Sequence, residues 1–320
     1  MRSLLSCCFT ILLFTISGLW PASASVAVTP ESPKVVVSIT PFYALVADLM
    51  EGVGTPILLV QPGASPHQYA LRPSDLQRLA EADLIFWAGP TLETFLVKPL
   101  GNLPPSKKII VLEKTPQLLL LPVRQEPAWE PHAHTDDTAH TDEHSTDHDM
   151  HFWLDPHNAV ILTDAIVQNL VQTDPKHADI YKKNGENLKT RLRALDIHIA
   201  QKLADVQNIP YLVFHDAYQY FEHRYHLNAV GSITLHPELP PSAKRLTIIR
   251  GILEKTKARC VFTEPQFQSK LVHSIIQDLP VKIGELDPIG QATQDNPEGY
   301  FVLLENLADS MKNCLAPAHP

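Results

Sequence analysis

Cysteine, positive charge and long apolar runs are all in short supply in this sequence. Four cysteines occur among 320 residues, and two of them, Cys7 and Cys8, fall in the first eight positions. Beyond residue 24 no apolar stretch is long enough to cross a bilayer, since a spanning helix needs about 20 such residues. Lys and Arg number 26 against 35 Asp and Glu, a formal charge of −9. The basic residues form no stripe, so no nucleic-acid partner is expected. What is present is 44% apolar content, enough over this length for two cores of ordinary domain size.

The amino terminus reads as an export signal. Arg2 supplies the positive start, Leu4–Trp20 the apolar stretch, and Ala22-Ser23-Ala24 the small-x-small cleavage pattern. An uncleaved anchor is the alternative, but 17 residues interrupted by Ser and Thr are short for a span. Cys7 and Cys8 lie within the apolar stretch, too early for lipid attachment. Residues 1–24 are therefore expected to be removed, leaving a soluble chain in a periplasm. Loss of Arg2 takes the formal charge from −9 to near −10. Cys260 and Cys314 remain, and an isolated pair in an oxidising compartment reads as a disulfide. It would close a loop of about 54 residues, worth about 4 kcal/mol in the chain-entropy treatment. A pair of thiolate metal ligands is the alternative, opposed by the wide spacing and the lack of other cysteines.

Short apolar runs alternate with helical patterns along the rest. Val35–Ile39, Pro56–Val60, Leu84–Trp87 and Lys108–Leu112 read as strands, with helices over Phe42–Met50, from Ser74, and over Thr91–Val97. Such alternation predicts parallel α/β units. Asp174-Pro175, a capping Asp followed by Pro, opens the longest helix, predicted over Pro175–Asp205 and roughly 45 Å long. Gly185 inside it costs about 1 kcal/mol. Strands at Tyr211–Phe214, Leu227–Ile233, Cys260–Thr263 and Val281–Ile283 then alternate with helices to Met311. The expected fold class is α/β: two α/β lobes with parallel-type sheets, joined by one long linking helix, with a metal site in the cleft between lobes. The expected boundaries are 25–173 for the first lobe, 174–207 for the linking helix and 208–320 for the second lobe.

Sixteen histidines is a high count. Six of them (His132, His134, His140, His144, His148, His151) lie within twenty positions. Residues 125–150 also hold eight acids and no Lys or Arg, lack an apolar face, and read as a mobile loop offering weak, exchangeable metal binding. Three histidines have a different setting. His67 follows a strand and a turn, His151 begins His151-Phe152-Trp153-Leu154-Asp155-Pro156, and His215 ends the strand Tyr211–Phe214. Ligands of open parallel sheets bind beyond the carboxyl ends of strands, so a cleft between lobes would bring the three together. Asp287 follows the last strand on the same side. Three imidazoles and one oxygen suit tetrahedral zinc. Each of the three histidines taken alone reads more readily as a structural residue than as a ligand. His157, His177, His198, His273 and His319 read as surface or helix residues. His223, His226 and His236 could lie near the cleft without a role, and Glu264 reads as a loop organiser.

The motifs carry a further signal. Gly63-Ala64-Ser65-Pro66-His67-Gln68-Tyr69 with Leu71–Asp75, His151–Pro156, Phe214-His215-Asp216-Ala217-Tyr218 with Tyr220-Phe221, Phe262–Phe267 and Leu286–Gly290 occur in order over nearly the whole mature chain. With them the sequence closely resembles the ZnuA-type zinc-binding proteins among the solute receptors of metal-specific ABC transporters (cluster A-I, or cluster 9). The resemblance implies that His67, His151 and His215 bind Zn²⁺, with Asp287 or water completing the site, and that Cys260 and Cys314 pair. Some relatives carry Glu directly before the first histidine; Pro66 stands here and excludes that ligand. Manganese-type relatives usually carry Glu at the third position, so His215 favours zinc over the harder Mn²⁺. The implied function is capture of zinc in the periplasm and delivery to the membrane permease of an ABC importer. The His-rich loop is open to three roles, gathering zinc, sensing saturation or contacting a periplasmic zinc donor, and the chain is expected to be a monomer and not an enzyme. The competing readings are a zinc hydrolase or lyase with a three-His site, for which no His-Glu-x-x-His helix is present, and a zinc buffer or adhesive protein without a transporter.

Overall fold

In the computed structural model the chain is described over residues 32–317, apart from residues 62, 125–126, 130–147, 235–240, 266–269, 294–295 and 297. The expected export signal, most of the 125–150 loop, His132, His134, His140, His144, His236 and His319 lie outside the described residues.

The β-branched and aromatic runs become short strands. The amino-terminal half contributes β1 (Val35–Val37), α1 (Thr40–Leu49), β2 (Ile57–Leu58), α2 (Pro73–Glu81), β3 (Leu84–Trp87), α3 (Thr94–Gly101) and β4 (Lys108–Val111). The strands form a wholly parallel sheet in the order β2-β1-β3-β4. Two helices follow, α4 (Pro156–Thr173) and α5 (Ala178–Leu203). The second half repeats the plan with β5 (Tyr211–His215), α6 (Gln219–Tyr225), β6 (Ala229–Thr234), α7 (Ala243–Thr256), β7 (Cys260–Thr263), α8 (Lys270–Ile276), β8 (Lys282–Glu285) and α9 (Gly299–Leu315). Its sheet is also parallel, in the order β6-β5-β7-β8. The helices between strands follow from this pairing, because parallel neighbours cannot be joined by a tight turn.

Strand periodicity decides which core each side chain enters. On the outer face of the first sheet Val36, Ile85 and Trp87 pack with Leu79, Leu96 and Leu100 of α2 and α3. On the outer face of the second, Leu212, Phe214 and Val261 pack with Ile249, Leu253 and Val272 of α7 and α8. The inner-face residues Val35, Val37, Leu84, Phe86, Tyr211, Val213, Cys260 and Phe262 all enter one continuous core with α1, α4, α5, α6 and α9. The two sheets thus share their interior.

The linking segment differs from the single helix expected over Pro175–Asp205. Pro175–His177 is a 3₁₀ turn, and α5 has 26 residues, about 39 Å of helix. Asp174 holds this turn by accepting from the Tyr181 hydroxyl at 2.8 Å and pairing with His177 Nδ1 at 2.6 Å. α4 precedes it and packs along α5. Gly185 has a reason in that contact: a Cβ there would stand 2.8 Å from Val167 of α4. Cys260 and Cys314 are joined, tying β7 to α9 with a Cα–Cα distance of 6.2 Å. On the same side Arg191 of α5 pairs with Asp48 of α1 at 2.7 Å and with Glu298, and Lys202 with Glu305 and Asp309 at 2.6 and 2.7 Å.

Glu93 is fully buried and accepts the N–H groups of Ala88 and Gly89 on one oxygen, at 2.7 and 3.3 Å. Burial outweighs these bonds and pushes its carboxyl up from 4.5 to about 7.

Two expected outcomes follow from this packing. Replacing Cys260 and Cys314 together by Ser lowers unfolding stability by about 4 kcal/mol in the chain-entropy treatment; an unchanged urea midpoint would show that closing this loop contributes nothing. Glu93 titrates higher folded than unfolded, so its stabilising proton uptake is complete below about pH 4.5 and lost as pH rises through about 7, by about 3 kcal/mol. Glu93→Gln therefore shows a smaller loss of stability between pH 5 and pH 8 than the natural chain. Equal losses in urea unfolding at the two pH values would refute the assignment.

Candidate metal centre

In each sheet the strand order reverses direction once, between β1 and β3 and between β5 and β7, and the carboxyl ends beside such a switch form a crevice. His215 is the last residue of β5, and Glu264 directly follows β7. His67 lies in the connection from β2 to α2. Its backbone N–H donates to the Ser65 hydroxyl at 3.2 Å, and Tyr69, two residues on, is buried and hydrogen-bonded to Asp75 of α2. His151 precedes the 3₁₀ turn Phe152–Leu154 that leads into α4. Asp155 caps α4 by accepting from His157 N at 2.8 Å. Trp153 crosses to the other half, donating its indole N–H to the Pro288 carbonyl at 2.8 Å.

These anchors bring three imidazoles together. One ring nitrogen from each of His67, His151 and His215 lies within 4.8 Å of the others. The ring centroids are 5.6, 5.2 and 4.9 Å apart. Nitrogens bound tetrahedrally to one zinc stand about 3.3 Å apart, so a small inward movement would complete the set. A cavity of about 150 Å³ is lined by all three, together with Val123, Asp149 and Asp216.

The surroundings suit neutral imidazole. His151 and His215 are buried, and His67 is half-buried. Burial lowers the His151 pKa to about 3, which leaves a lone pair available near neutral pH. His151 Nδ1 lies 2.7 Å from Asp149 Oδ1, which also accepts the His151 backbone N–H at 3.0 Å. His215 Nδ1 faces Glu264 Oε1 at 3.5 Å. A carboxylate behind the far ring nitrogen orients an imidazole and raises its basicity toward a metal. Burial also pushes the Asp149 carboxyl up, to about 7.

Asp287 is placed differently. It lies outside the group of three, and its two oxygens accept the N–H groups of Ile289, Gly290 and Gln291 at 3.1, 3.0 and 2.7 Å. Asp149 was hidden among the acids of the 125–150 run; its position two residues before His151 is the one signal that could have marked it. Glu264, read as a loop organiser, had a second signal in its place at a strand's carboxyl end. Of the remaining histidines, the exposed His148 lines the same cavity as the three. His223 and His226 line a separate one of about 320 Å³. His177 pairs with Asp174, and His198 stands 3.5 Å from Glu305. Among the described residues no other group of three or more His, Cys, Asp or Glu converges in this way.

Comparison with known proteins bears on this centre. Residues 35–314 match the family described as ZnuA, zinc-uptake complex component A, periplasmic. The high-affinity zinc uptake system protein ZnuA of Brucella suis is 39% identical over 327 residues, covering 95% of this chain and 98% of that protein. The protein of the same name from Yersinia pestis is 36% identical over 304 residues, covering 92% and 96%. Among solved structures, the periplasmic zinc-binding protein TroA of Treponema pallidum has the same fold, with a TM-score of 0.74 and 21% identity over 89% of this chain and all of that one.

The carboxylate behind His151 gives this centre its own test. Asp149→Ala is expected to weaken zinc binding by about 10–100-fold, measured by competition with a chelating dye. An affinity equal to that of the natural chain would show that His151 needs no orienting partner.

Proposed function

The chain belongs to the ZnuA family of zinc-uptake components, and from that membership we propose that it is a zinc-binding receptor which captures Zn²⁺ and delivers it to the permease of an ABC importer. The observation that carries this reading is the convergence of three imidazoles from separate parts of the chain within 4.8 Å. His67, His151 and His215 are the metal ligands. A three-nitrogen set of intermediate softness prefers zinc to the oxygen-seeking Mn²⁺ and Mg²⁺. Asp287 or water takes the fourth position; the Asp287 carboxylate also accepts three backbone N–H groups of its own turn.

The physical task of such a receptor is to bind tightly and still let go. Tight binding is supported by His151, kept neutral by burial, and by the carboxyl groups of Asp149, Asp216 and Glu264 buried around the site. A dication is favoured by this negative surround. Release is confined to local movement around the site, because the two sheets share one core and α5 runs between them. The work is binding and transfer, with zinc as cargo rather than as a resident catalytic ion. The chain acts in the periplasm after cleavage near Ala24, as a monomer, and the joined pair Cys260–Cys314 suits that oxidising compartment. The His/Asp-rich 125–150 segment is the contact for a periplasmic zinc donor.

Protein purified from a periplasm without added metal is expected to carry about one tightly held zinc per chain, and His215→Ala to lose it. Elemental analysis that finds no zinc, or finds it unchanged in the variant, would refute the assignment. Protons compete with the metal for imidazole nitrogen, so affinity falls from pH 7 to pH 5 in calorimetry.

A further inference from the structure

Arg124 stands at the border of the His/Asp-rich segment, yet its side chain is docked on the second half of the chain. Its Nε donates to Asp216 Oδ2 at 3.1 Å, and one terminal nitrogen donates to the other oxygen of Asp216. The second terminal nitrogen donates to Glu222 at 2.8 Å. The flat face of the guanidinium lies 3.4 Å from the centre of the Trp129 ring. Both edges and a face of the ion are thus engaged. The side chain is only 19% exposed, and its partners Asp216 and Glu222 are buried.

The backbone around Arg124 forms a strap. Leu121 N donates to the Tyr220 hydroxyl at 3.0 Å, and that hydroxyl donates to the Asp149 carbonyl at 2.5 Å. Asp149 N returns a bond to the Leu121 carbonyl at 2.9 Å. Gln219 Nε2 donates to the Pro122 carbonyl at 3.1 Å. Further on, Arg245 donates to the Ala128 carbonyl at 2.9 Å, where Gly231 leaves room: a Cβ there would stand 2.6 Å from that oxygen. Residues 121–124 therefore reach α6 of the second half, and Ala128 separately reaches β6 and α7.

Two of the three imidazoles are reached through this strap. Asp216 is the residue after His215, and Asp149 pairs with His151 Nδ1 at 2.7 Å. Val123, beside Arg124, lines the same cavity as the imidazoles, so the strap forms part of its wall. We infer that Arg124 is a positioning residue that holds this wall closed and sets how slowly a bound metal leaves; the inference rests on the zinc-receptor reading. A guanidinium fork grips both oxygens of Asp216 and reaches Glu222 at once, whereas an ammonium offers a point charge with no fixed plane.

The test measures zinc release from the full mature chain into excess chelator by stopped flow, beside the association rate and the visible spectrum of the cobalt-loaded protein. Arg124→Gln is expected to release zinc about tenfold faster, a loss at the low end for outer partners of metal ligands. Its association rate and cobalt spectrum should match those of the natural chain, because the ligand set is intact. Arg124→Gln leaves two buried carboxylates without their cation and could unfold the chain. Arg124→Lys keeps the charge, and should fold while still releasing zinc faster than the natural chain. Natural release rates in Arg124→Lys together with natural or unmeasurable rates in Arg124→Gln would overturn the inference, as would an altered cobalt spectrum in Arg124→Lys. Failure of the natural chain to hold zinc at all would instead sink the receptor reading, which the His215→Ala comparison identifies separately.

Discussion

The structure depends on holding three imidazoles against one another in a half-closed space. Three rings crowded in this way gain little from one another, so the arrangement has to be imposed from outside. Burial supplies neutrality, seen in His151 with its pKa near 3. Carboxylates supply orientation: Asp149 lies behind His151 and Glu264 behind His215. Those carboxylates, with Asp216 and Glu222, place several acidic groups where water is scarce, and Arg124 offsets part of that burden. Metal affinity and structural cost at this site come from the same buried charges.

The scaffold meets this demand through topology. Parallel strands send their carboxyl ends to one edge of each sheet, and the chain places His215 and Glu264 at two neighbouring ends. The inner faces of both sheets feed one core, so the halves cannot part without exposing it. Close contact of α4 with α5 at Gly185, and the partly buried Arg191 and Lys202 ion pairs, add further ties between helices. Apolar burial does most of the holding.

Much of the fold was legible because strands buried on both faces read as continuous apolar runs, as in Val35-Val36-Val37 and Leu84-Ile85-Phe86-Trp87. α4 escaped notice although Asp155-Pro156 opens it with the same capping Asp and Pro that marked Asp174-Pro175. Its residues Ala159 to Leu162 are an unbroken apolar run, which masks the helical spacing of its exposed His157, Asp164, Gln168 and Gln172. Gly185 looked like a defect in a helix and is a contact surface, a meaning that needs Val167 to be visible. Asp287 follows a strand on the side where ligands are expected, but that its carboxylate also accepts three backbone N–H groups depends on the exact turn that follows.

Local chemistry therefore determined the alternation of strands and helices, the parallel sheets, the pairing open to Cys260 and Cys314, and the three histidines with their flanking motifs. Such features depend on side-chain type and on spacing within a few residues, which the order of amino acids contains directly. Tertiary structure alone decided that the three imidazoles meet, that Asp149 and Glu264 stand behind two of them, and that Arg124 reaches 92 and 98 positions along the chain to Asp216 and Glu222. Those contacts join segments with no sequence relation to one another. Their distances follow from how the two sheets and the helices between them close around a single core.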